Sequence, residues 1–335
     1  KALNLIKHSG KNLFMNPTSE KRSASEIIYS TELKAYSGKE LLDHLRQTLI
    51  GRNVQVPTAE GMRTFINLDN SASTPTFETI WDTYRHTWQQ PESTKQEIVN
   101  EVKSICAKAL GAPQSDYDVL FTSNATEAIN LVAESFCNEP NEAIEPVILN
   151  TLLEHSSNDL PWRTAPGHTL IRLSIDTDGF IDLNELERKL DDFNTKGLHG
   201  KRQIRLVAIS GASNVLGVCN NIKAISEIAH RYDARLLVDV AQWVAHRKID
   251  IEVLGIDYLA FSAHKVYAPF GSGALIARKG LLSFNSEEMK QISLSGEENA
   301  AGIAALGKAL ALLQQIGMNV IEEEEQVLTK QLLQG

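Results

Sequence analysis

The chain has little cysteine, no excess of positive charge and no long apolar run. Its 335 residues include three cysteines, Cys106, Cys137 and Cys219, and no pair is spaced as Cys-x-x-Cys. Cysteines so few and so far apart favour a reducing compartment, the cytoplasm, over a disulfide-stabilised secreted domain. The net charge of −9, from 33 basic and 42 acidic residues, argues against nucleic-acid binding.

Signals for membrane insertion and secretion are also weak. The longest apolar-rich stretch, 300–313, is interrupted by Lys308 and is too short to cross a bilayer. Polar residues break up the first apolar residues, so we expect no signal peptide and no membrane partner. Because the chain begins with Lys1 and ends at Gly335 inside a helix-like stretch, we expect a piece of the natural chain to be missing at one end or the other.

Short apolar runs alternate with stretches of helical period from about residue 63 onward. Strands are predicted at 118–121, 147–149, 206–209, 236–239 and 258–261, and helices at 125–136, 182–193, 222–232 and 300–316. Near-continuous Val, Leu and Ile runs are typical of strands buried on both faces of a parallel sheet. The order predicts an α/β fold with a doubly wound, mainly parallel sheet that binds ligands at the carboxyl ends of its strands.

Three regions differ in composition. Residues 1–62 are polar and helix-leaning, which predicts an N-terminal extension that packs on the main domain. Residues 63–295 carry the strand–helix alternation and form the predicted large domain. Residues 296–335 are predicted to begin a smaller C-terminal α+β domain that is incomplete in this chain.

Solubility alone does not explain why a lysine stands at position 265. It follows the apolar run 258–261 in the sequence Ser262-Ala263-His264-Lys265, with Gly271 and Gly273 beyond it. Most lysines at strand ends extend into solvent, which is one interpretation of this one. In a closed site, however, loss of hydration lowers the pKa of a lysine and lets it form a Schiff base.

Other predicted strand ends also carry polar groups, each with a structural alternative. Asn124-Ala125-Thr126 starts a helix, where free amide groups bind phosphate but where an ordinary helix cap looks the same. We expect a positive φ at Asn124, which asparagine tolerates. His155 and Asn214 follow later strands; an isolated histidine more often has a structural role, and Asn with Gly is also typical of a turn.

Asp239 ends the apolar run 236–238, and Gln242 follows three residues later. A buried carboxylate is costly unless it meets a positive partner. That partner is either a basic side chain in a structural salt bridge or the protonated ring nitrogen of a pyridine cofactor.

The order of these groups resembles the class V aminotransferase family of fold-type I enzymes dependent on pyridoxal 5′-phosphate (PLP), and within it the cysteine desulfurases. The resemblance runs from about residue 67 to at least Gly307 and includes Asp69-Asn70-Ser71-Ala72-Ser73-Thr74, which is similar to the family's LDNAAT substrate loop. It implies the PLP-dependent transferase fold, PLP in the large domain, an amino acid substrate, and a homodimer with the site near the subunit interface.

The resemblance also implies a role for each matched residue. Lys265 forms the Schiff base with PLP and moves the substrate's α-proton, while His155 stacks on the ring and assists proton transfer. Asp239 pairs with the ring nitrogen, and Gln242 faces the phenolic oxygen. The phosphate positions are Asn124, Ala125, Thr126, Ser262 and His264, and the substrate positions are Asn70, Ser71, Ala72 and Asn214, the last also near the cofactor. No metal is implied.

The chain departs from the family in three places. Asn124 replaces a glycine of the phosphate turn. Gly296-Glu297-Glu298-Asn299 replaces Gly-Thr-x-Asn, whose threonine reaches the partner subunit's phosphate, and a carboxylate there would repel that phosphate. The third departure concerns the family's nucleophilic cysteine, which lies on a loop about 100 residues or more beyond the lysine.

Only 70 of the 335 residues follow Lys265, and none is cysteine. In the family, the arginine that binds the substrate carboxylate normally lies in the same C-terminal region as the nucleophilic cysteine, and we expect that region to be missing here. Cys106 and Cys137 are predicted to be buried structural thiols, and Cys219 is assigned no role.

We therefore predict a PLP-dependent transferase or lyase that acts on an amino acid through Lys265 and is most similar to cysteine desulfurases. An aminotransferase, a C–S lyase or an epimerase of the same family is the alternative, as is a non-catalytic module of a larger protein. A dinucleotide-binding dehydrogenase is disfavoured, because no Gly-x-Gly-x-x-Gly follows the first strands and Gly271-Ser272-Gly273 has the wrong context.

Overall fold

The computed structural model describes residues 22–29, 32–139 and 143–334. The strands are β1 (Gln55–Thr58), β2 (Gly61–Thr64), β3 (Tyr117–Thr122), β4 (Glu145–Thr151), β5 (Thr169–Leu173), β6 (Arg202–Ser210), β7 (Arg235–Asp239), β8 (Tyr258–Ser262) and β9 (Gly273–Arg278). The helices are α1 (Ala24–Tyr29), α2 (Gly38–Gln47), α3 (Glu78–Trp88), α4 (Glu92–Ala109), α5 (Ala125–Cys137), α6 (Leu160–Thr164), α7 (Leu183–Leu190), α8 (Ile222–Arg231), α9 (Ile251–Leu254), α10 (Ser286–Glu297), α11 (Ala300–Ile316) and α12 (Met318–Gln334). Short 3₁₀ or π turns lie at Glu32–Ala35, Ser156–Asn158, Asp191–Thr195 and Ala263–Lys265.

A seven-stranded sheet carries the fold, in the order β3-β9-β8-β7-β6-β4-β5. Strands β4 to β8 run parallel to their neighbours in this group, and β9 is antiparallel to both β3 and β8. This confirms the predicted α/β fold with a mainly parallel sheet. The five strands predicted from apolar runs all form, each extended by one or more residues beyond the predicted span.

Helices cover both faces of the sheet, as the continuous apolar runs require. In β7, Leu236, Leu237 and Val238 are all fully buried. Leu236 and Val238 belong to one core, whereas Leu237 belongs to the core on the opposite face, because successive side chains of a strand point in opposite directions. Helices α4, α8 and α11 cover the first face, and α5 and α6 cover the second.

Helix α11 is buried along most of its length, and it packs against α3 and α4 and also contacts α1 and α2. Small residues let these helices approach closely, and Gly307 lies directly against Val102 of α4. The described part of the predicted N-terminal extension therefore shares a core with the sheet. The boundaries near residues 62 and 295 stay predictions, and residues 1–21, 30–31, 140–142 and 335 lie outside the described part of the chain.

Within residues 22–29, 32–139 and 143–334, no single helix is long and apolar enough to span a membrane. Helices α11 and α12 are long and apolar enough to span one only when they are counted together, and they are bent by 78° relative to each other.

Burial of the cysteines was predicted correctly for Cys106 and wrongly for Cys137. Cys106 is fully buried, whereas Cys137 is exposed and its Sγ lies 3.2 Å from the carbonyl oxygen of Pro166. Helix α5 buries Ile129, Val132 and Phe136 on one side. Cys137 is one residue further along, about 100° around the helix, so it points away from the core.

Candidate active site

The carboxyl ends of the strands surround a cavity of about 660 Å³, a size typical of small-molecule sites. Register places these ends side by side, since Ser210 of β6 pairs with Asp239 of β7, which pairs with Ala260 of β8. The structure brings most of the sequence-predicted residues to this cavity, namely Lys265, His155, Asp239, Gln242, Asn124, Ala125, Thr126, Ser262, His264, Asn214, Ser71 and Ala72. Asn70 is not among the lining residues; its side chain accepts a hydrogen bond from Asn67 at 2.8 Å.

Lys265 lies at the end of the 3₁₀ turn that follows β8. Its Nζ donates hydrogen bonds to the backbone carbonyls of Ser71 and Ala72, the latter at 2.9 Å. Partial burial lowers the pKa of the Lys265 amine, although the negative charges of Asp239 and Asp69 oppose this effect. The amine is therefore held inside the cavity and its charged form is disfavoured by lost hydration.

Asp239 is buried at the end of β7, with 4% of its surface exposed. In the part of the chain that the structure describes, its hydrogen-bond partner is the backbone amide of Ala241, at 2.9 Å, rather than a basic side chain. Burial raises the pKa of the carboxyl group, and the Ala241 amide and the charge of Lys265 oppose the rise. A buried carboxylate held this way favours a cationic group in the cavity.

Hydrogen bonds to backbone groups hold the loop 69–76 over Lys265. Gln242 Nε2 donates to the Ser71 carbonyl at 2.7 Å. The amide and the hydroxyl of Thr74 both donate to the carbonyl of His264 at 2.9 Å, and the Tyr267 amide donates to the Thr74 hydroxyl at 2.8 Å. The segment that the sequence likened to a substrate loop therefore forms one wall of the cavity.

The start of α5 forms another wall of the cavity. Asn124 is the N-cap and accepts a hydrogen bond from the Glu127 amide at 2.9 Å. Its φ of −172° is extended, so the expectation of a positive φ was wrong. An N-cap residue takes this conformation because its side chain must turn back to the free amides of the first turn. The Ala125 amide donates to the hydroxyl of Ser262 at 2.8 Å, which joins α5 to the end of β8.

His155 precedes a 3₁₀ turn and presents its ring to the cavity. The Ser157 amide donates to His155 Nδ1 at 3.2 Å, and the Ser157 hydroxyl lies 2.6 Å from the same nitrogen. Because a backbone N–H can only donate, Nδ1 is the acceptor and Nε2 carries the proton of the neutral ring.

His264 and Phe270 form the rim of the cavity. Their rings stack with centroids 4.3 Å apart, and burial lowers the pKa of His264. The buried Nδ1 of His264 has no hydrogen-bond partner among the described residues. A nitrogen left in this way points to a ligand atom or a water molecule as its partner.

Sequence reasoning missed several residues of the site. Ser210, Ala212, Ala241 and Phe270 line the cavity although no motif singled them out, and so does Ser157, two residues after His155, which was assigned no role. Glu154, the residue before His155, was also assigned no role, and its carboxylate accepts three side-chain hydrogen bonds from Thr151, Asn158 and Ser210. Its signal was a charged residue three residues after the end of the buried strand β4. No group of three or more His, Cys, Asp and Glu side chains is placed to hold a metal within the described ranges.

A sequence model of the class-V aminotransferases matches residues 66–335. The chain belongs to the class-V aminotransferase family. A probable cysteine desulfurase of Halalkalibacterium halodurans is 36% identical over 241 residues, which cover 65% of this chain and 57% of that protein. A cysteine desulfurase of Klebsiella pneumoniae is 32% identical over 271 residues, which cover 74% and 63%. The chain thus spans about three fifths of the length of these relatives.

Solved structures agree with the family. A NifS-like protein from Rickettsia africae is 26% identical, with a TM-score of 0.67 over 80% of this chain and 75% of that one. The apo structure of a cysteine desulfurase from Thermococcus onnurineus has a TM-score of 0.71 at 23% identity over 88% and 76%, a likeness of fold alone.

The chain's variant of the family's Gly-Thr-x-Asn motif has a structure of its own. Gly296 allows no side chain, since a Cβ there would lie 1.9 Å from the carbonyl oxygen of Phe121. The Glu297 carboxylate forms an ion pair with Lys103 of α4 at 2.6 Å. Asn299 caps α11 and donates to the carbonyl of Gly271 at 2.7 Å. The motif therefore packs α10 on β3 and supports the rim of the cavity. The negative charge of Glu297 is neutralised by Lys103 of α4.

The thiols of this member of the class-V family are not among the described residues that line the cavity. Neither a cysteine nor an arginine is among the described residues that line the cavity. Cys106 is enclosed in the core, where burial raises its pKa to about 12, and Cys137 is exposed at the end of α5. Cys219 is exposed as well, and its backbone pairs with that of Ala212, a lining residue. These residues supply no nucleophilic thiol to the cavity.

Proposed function

We propose that this chain is the cofactor-binding part of a PLP-dependent enzyme that acts on an amino acid. The observation that carries the proposal is that the Lys265 amine and the buried Asp239 carboxylate face one cavity at the carboxyl edge of the sheet. When bound, PLP withdraws electrons from the α-carbon of an amino acid attached to it.

The groups that line the cavity fit PLP in charge and in hydrogen bonding. Asp239, buried and bonded only to a backbone amide among the described residues, would hold the protonated ring nitrogen. The start of α5, with Asn124 and Thr126, and the unpartnered Nδ1 of His264 would hold the phosphate. Ala125 and Ser262 would support them through their own hydrogen bond.

The remaining predicted residues would act on the substrate. Lys265 Nζ would hold the cofactor covalently, since its lowered pKa raises the fraction of neutral, nucleophilic amine. Once released, the same amine would accept the α-proton. The Nε2–H of His155 would assist from the ring side, and Gln242 would face the phenolic oxygen. Asn214, Ser71 and Ala72 would contact the substrate.

Within this class the substrate and leaving group stay open. Similarity favours a cysteine desulfurase, whose thiol this chain does not bring to the cavity among its described residues. An aminotransferase, a C–S lyase or an epimerase needs no such thiol and is the alternative. By the same resemblance we propose a cytoplasmic homodimer with the site near the subunit interface.

Cofactor titration tests the proposal. Purified protein titrated with PLP should develop the visible absorbance of lysine-bound cofactor, and borohydride should fix the cofactor to the peptide that contains Lys265. Lys265→Ala should abolish the fixation, whereas Lys290→Ala, which changes an exposed lysine on α10, should leave it intact. A wild-type protein that binds no PLP would refute the proposal. Cofactor binding without turnover of any amino acid would favour the non-catalytic module.

A further inference from the structure

Glu154 is a part-buried carboxylate that does not line the cavity but joins three segments that build it. Its Oε1 accepts a hydrogen bond from the Thr151 hydroxyl, at the end of β4, at 2.7 Å. Its Oε2 accepts from the Ser210 hydroxyl, at the end of β6, and from Asn158 Nδ2, in the turn after His155, both at 2.7 Å. One side chain thus holds two strand ends and the histidine turn together.

The turn is anchored from its other side as well. The Nε1 of Trp162, a residue buried in the core on the α5 face, donates to Asn158 Oδ1 at 3.1 Å. Asn158 therefore cannot rotate or flip without breaking bonds to both Glu154 and Trp162. The backbone of the same turn supplies the Ser157 amide that binds His155 Nδ1. Because Asn158 directly follows Ser157 in this turn, the bonds that hold Asn158 also hold the backbone that binds the imidazole.

We propose that Glu154 is a positioning residue that fixes the His155 ring in one tautomer and in one place beside Asp239. Ser210, the second donor to Glu154 Oε2, is the register partner of Asp239 across β6 and β7. The carboxylate therefore ties the histidine turn directly to the strand pair that carries Asp239. The use made of His155 rests on the proposed PLP function, but its fixed position does not.

The geometry distinguishes two substitutions at this position. In Glu154→Gln, the amide oxygen can replace Oε2 and accept from Ser210 and Asn158, and the amide nitrogen can donate to the Thr151 hydroxyl. Glu154→Ala removes all three bonds and leaves the Asn158 amide without its acceptor. Glutamine should therefore retain the position of His155, and alanine should lose it.

A control variant must remove the same number of side-chain hydrogen bonds at a position far from the cavity. Asn194 offers this, because its side chain makes three hydrogen bonds of 2.7 to 2.8 Å to the backbone of Ile204 and Tyr232, near the start of β6. Asn194→Ala should lower the melting temperature as Glu154→Ala does. It should leave the cavity unchanged.

Nitrogen-15 NMR of histidine-labelled, cofactor-free protein reports the tautomer directly, with the His155 signals assigned from their absence in His155→Asn. We expect a single Nε2–H tautomer in wild type, Glu154→Gln and Asn194→Ala, and a mixture or a shifted pattern in Glu154→Ala. A wild-type His155 pattern in Glu154→Ala would overturn the proposal, as would an equal change in Asn194→Ala.

If Glu154→Ala does not fold, Asn158→Leu tests the same bond from its other end, because leucine is close to asparagine in size but cannot donate to Glu154 or accept from Trp162. Trp162→Phe, which removes only the bond between Trp162 and Asn158, is its control. Asn158→Leu should alter the His155 tautomer and Trp162→Phe should not; an unaltered tautomer in Asn158→Leu, or an equal change in Trp162→Phe, would overturn the proposal.

A second measurement uses PLP. Visible circular dichroism of the bound cofactor should be unchanged in Glu154→Gln and Asn194→Ala. Glu154→Ala should alter that signal and weaken PLP binding about 10-fold, equivalent to about 1.4 kcal/mol, the scale of one lost hydrogen bond. Unchanged dichroism and affinity in Glu154→Ala would contradict the proposal. If wild type binds no PLP, the proposed function fails, while the tautomer measurement still decides the role of Glu154.

Discussion

The buried lysine of α11 allows a prediction that does not depend on function. Lys308 is 2% exposed, and its Nζ donates to the carbonyl of Ile28 at 2.9 Å. Burial, and secondarily the charge of Lys34, lowers the pKa of Lys308 from 10.5 to about 8. This difference corresponds to about 3 kcal/mol of folding free energy, present as a cost wherever the amine is charged in both states.

The sign of the pH dependence follows from this pKa. Below pH 8 the folded and unfolded chains both carry the proton, so the full cost of the buried charge applies. Between pH 8 and 10.5 the unfolded state binds more protons than the folded state, so stability rises with pH. Above this window the buried amine is neutral, and it still donates to Ile28.

Lys308→Met should therefore change stability in opposite directions at the two ends of the window. At pH 7 it removes a cost of about 3 kcal/mol and loses a hydrogen bond worth about 1 to 2 kcal/mol, for a net gain of about 1 to 2 kcal/mol. At pH 10.5 only the loss remains, so the variant should be about 1 kcal/mol or more less stable than wild type.

Urea unfolding followed by circular dichroism at pH 7, 8, 9, 10 and 10.5 measures this difference in unfolding free energy. Lys290→Met, at an exposed position of α10, is the control and should show no crossover. A difference between Lys308→Met and wild type that stays constant across this range would show that the Lys308 amine is not desolvated in the folded protein, and the reasoning would fail.

Two further predictions concern packing and thiol chemistry. Gly307→Ala should lower the unfolding free energy by about 1 to 3 kcal/mol, because a Cβ at Gly307 would lie 2.5 Å from a methyl group of Val102. Adding Val102→Ala to the same chain should recover part of this loss. If urea unfolding shows that the effects of the two substitutions on the unfolding free energy are strictly additive, the contact is contradicted. Iodoacetamide at pH 8 should modify the exposed Cys137 and Cys219 of the folded protein but not Cys106, whose pKa burial raises to about 12; mass spectrometry that finds Cys106 modified before unfolding would show that the core opens.

Much of the fold could be predicted from the sequence because its signals are local. Runs such as Leu236-Leu237-Val238 are apolar on both faces and form strands that helices cover on both sides. The period of α11 is equally clear, and its predicted span, 300–316, matches the structure. Lys265 and Asp239 could be assigned to one site because the carboxyl ends of parallel strands share an edge of the sheet.

The remaining features depend on contacts between distant parts of the chain. Glu154 meets Ser210 across 56 residues, and Lys103 meets Glu297 across 194, so neither partnership leaves a periodic or compositional signal. The extended φ of Asn124 and the exposure of Cys137 likewise follow from how α5 begins and which side of it packs.

The sequence by itself thus determined five strands of the sheet, four of the helices and the family of the site, because hydrophobic period and residue order are properties of residues close together in the chain. Only the tertiary structure decided which side chains hold the site in place. A hydrogen bond between two strand ends exists only after the register of the sheet has brought its donor and acceptor together.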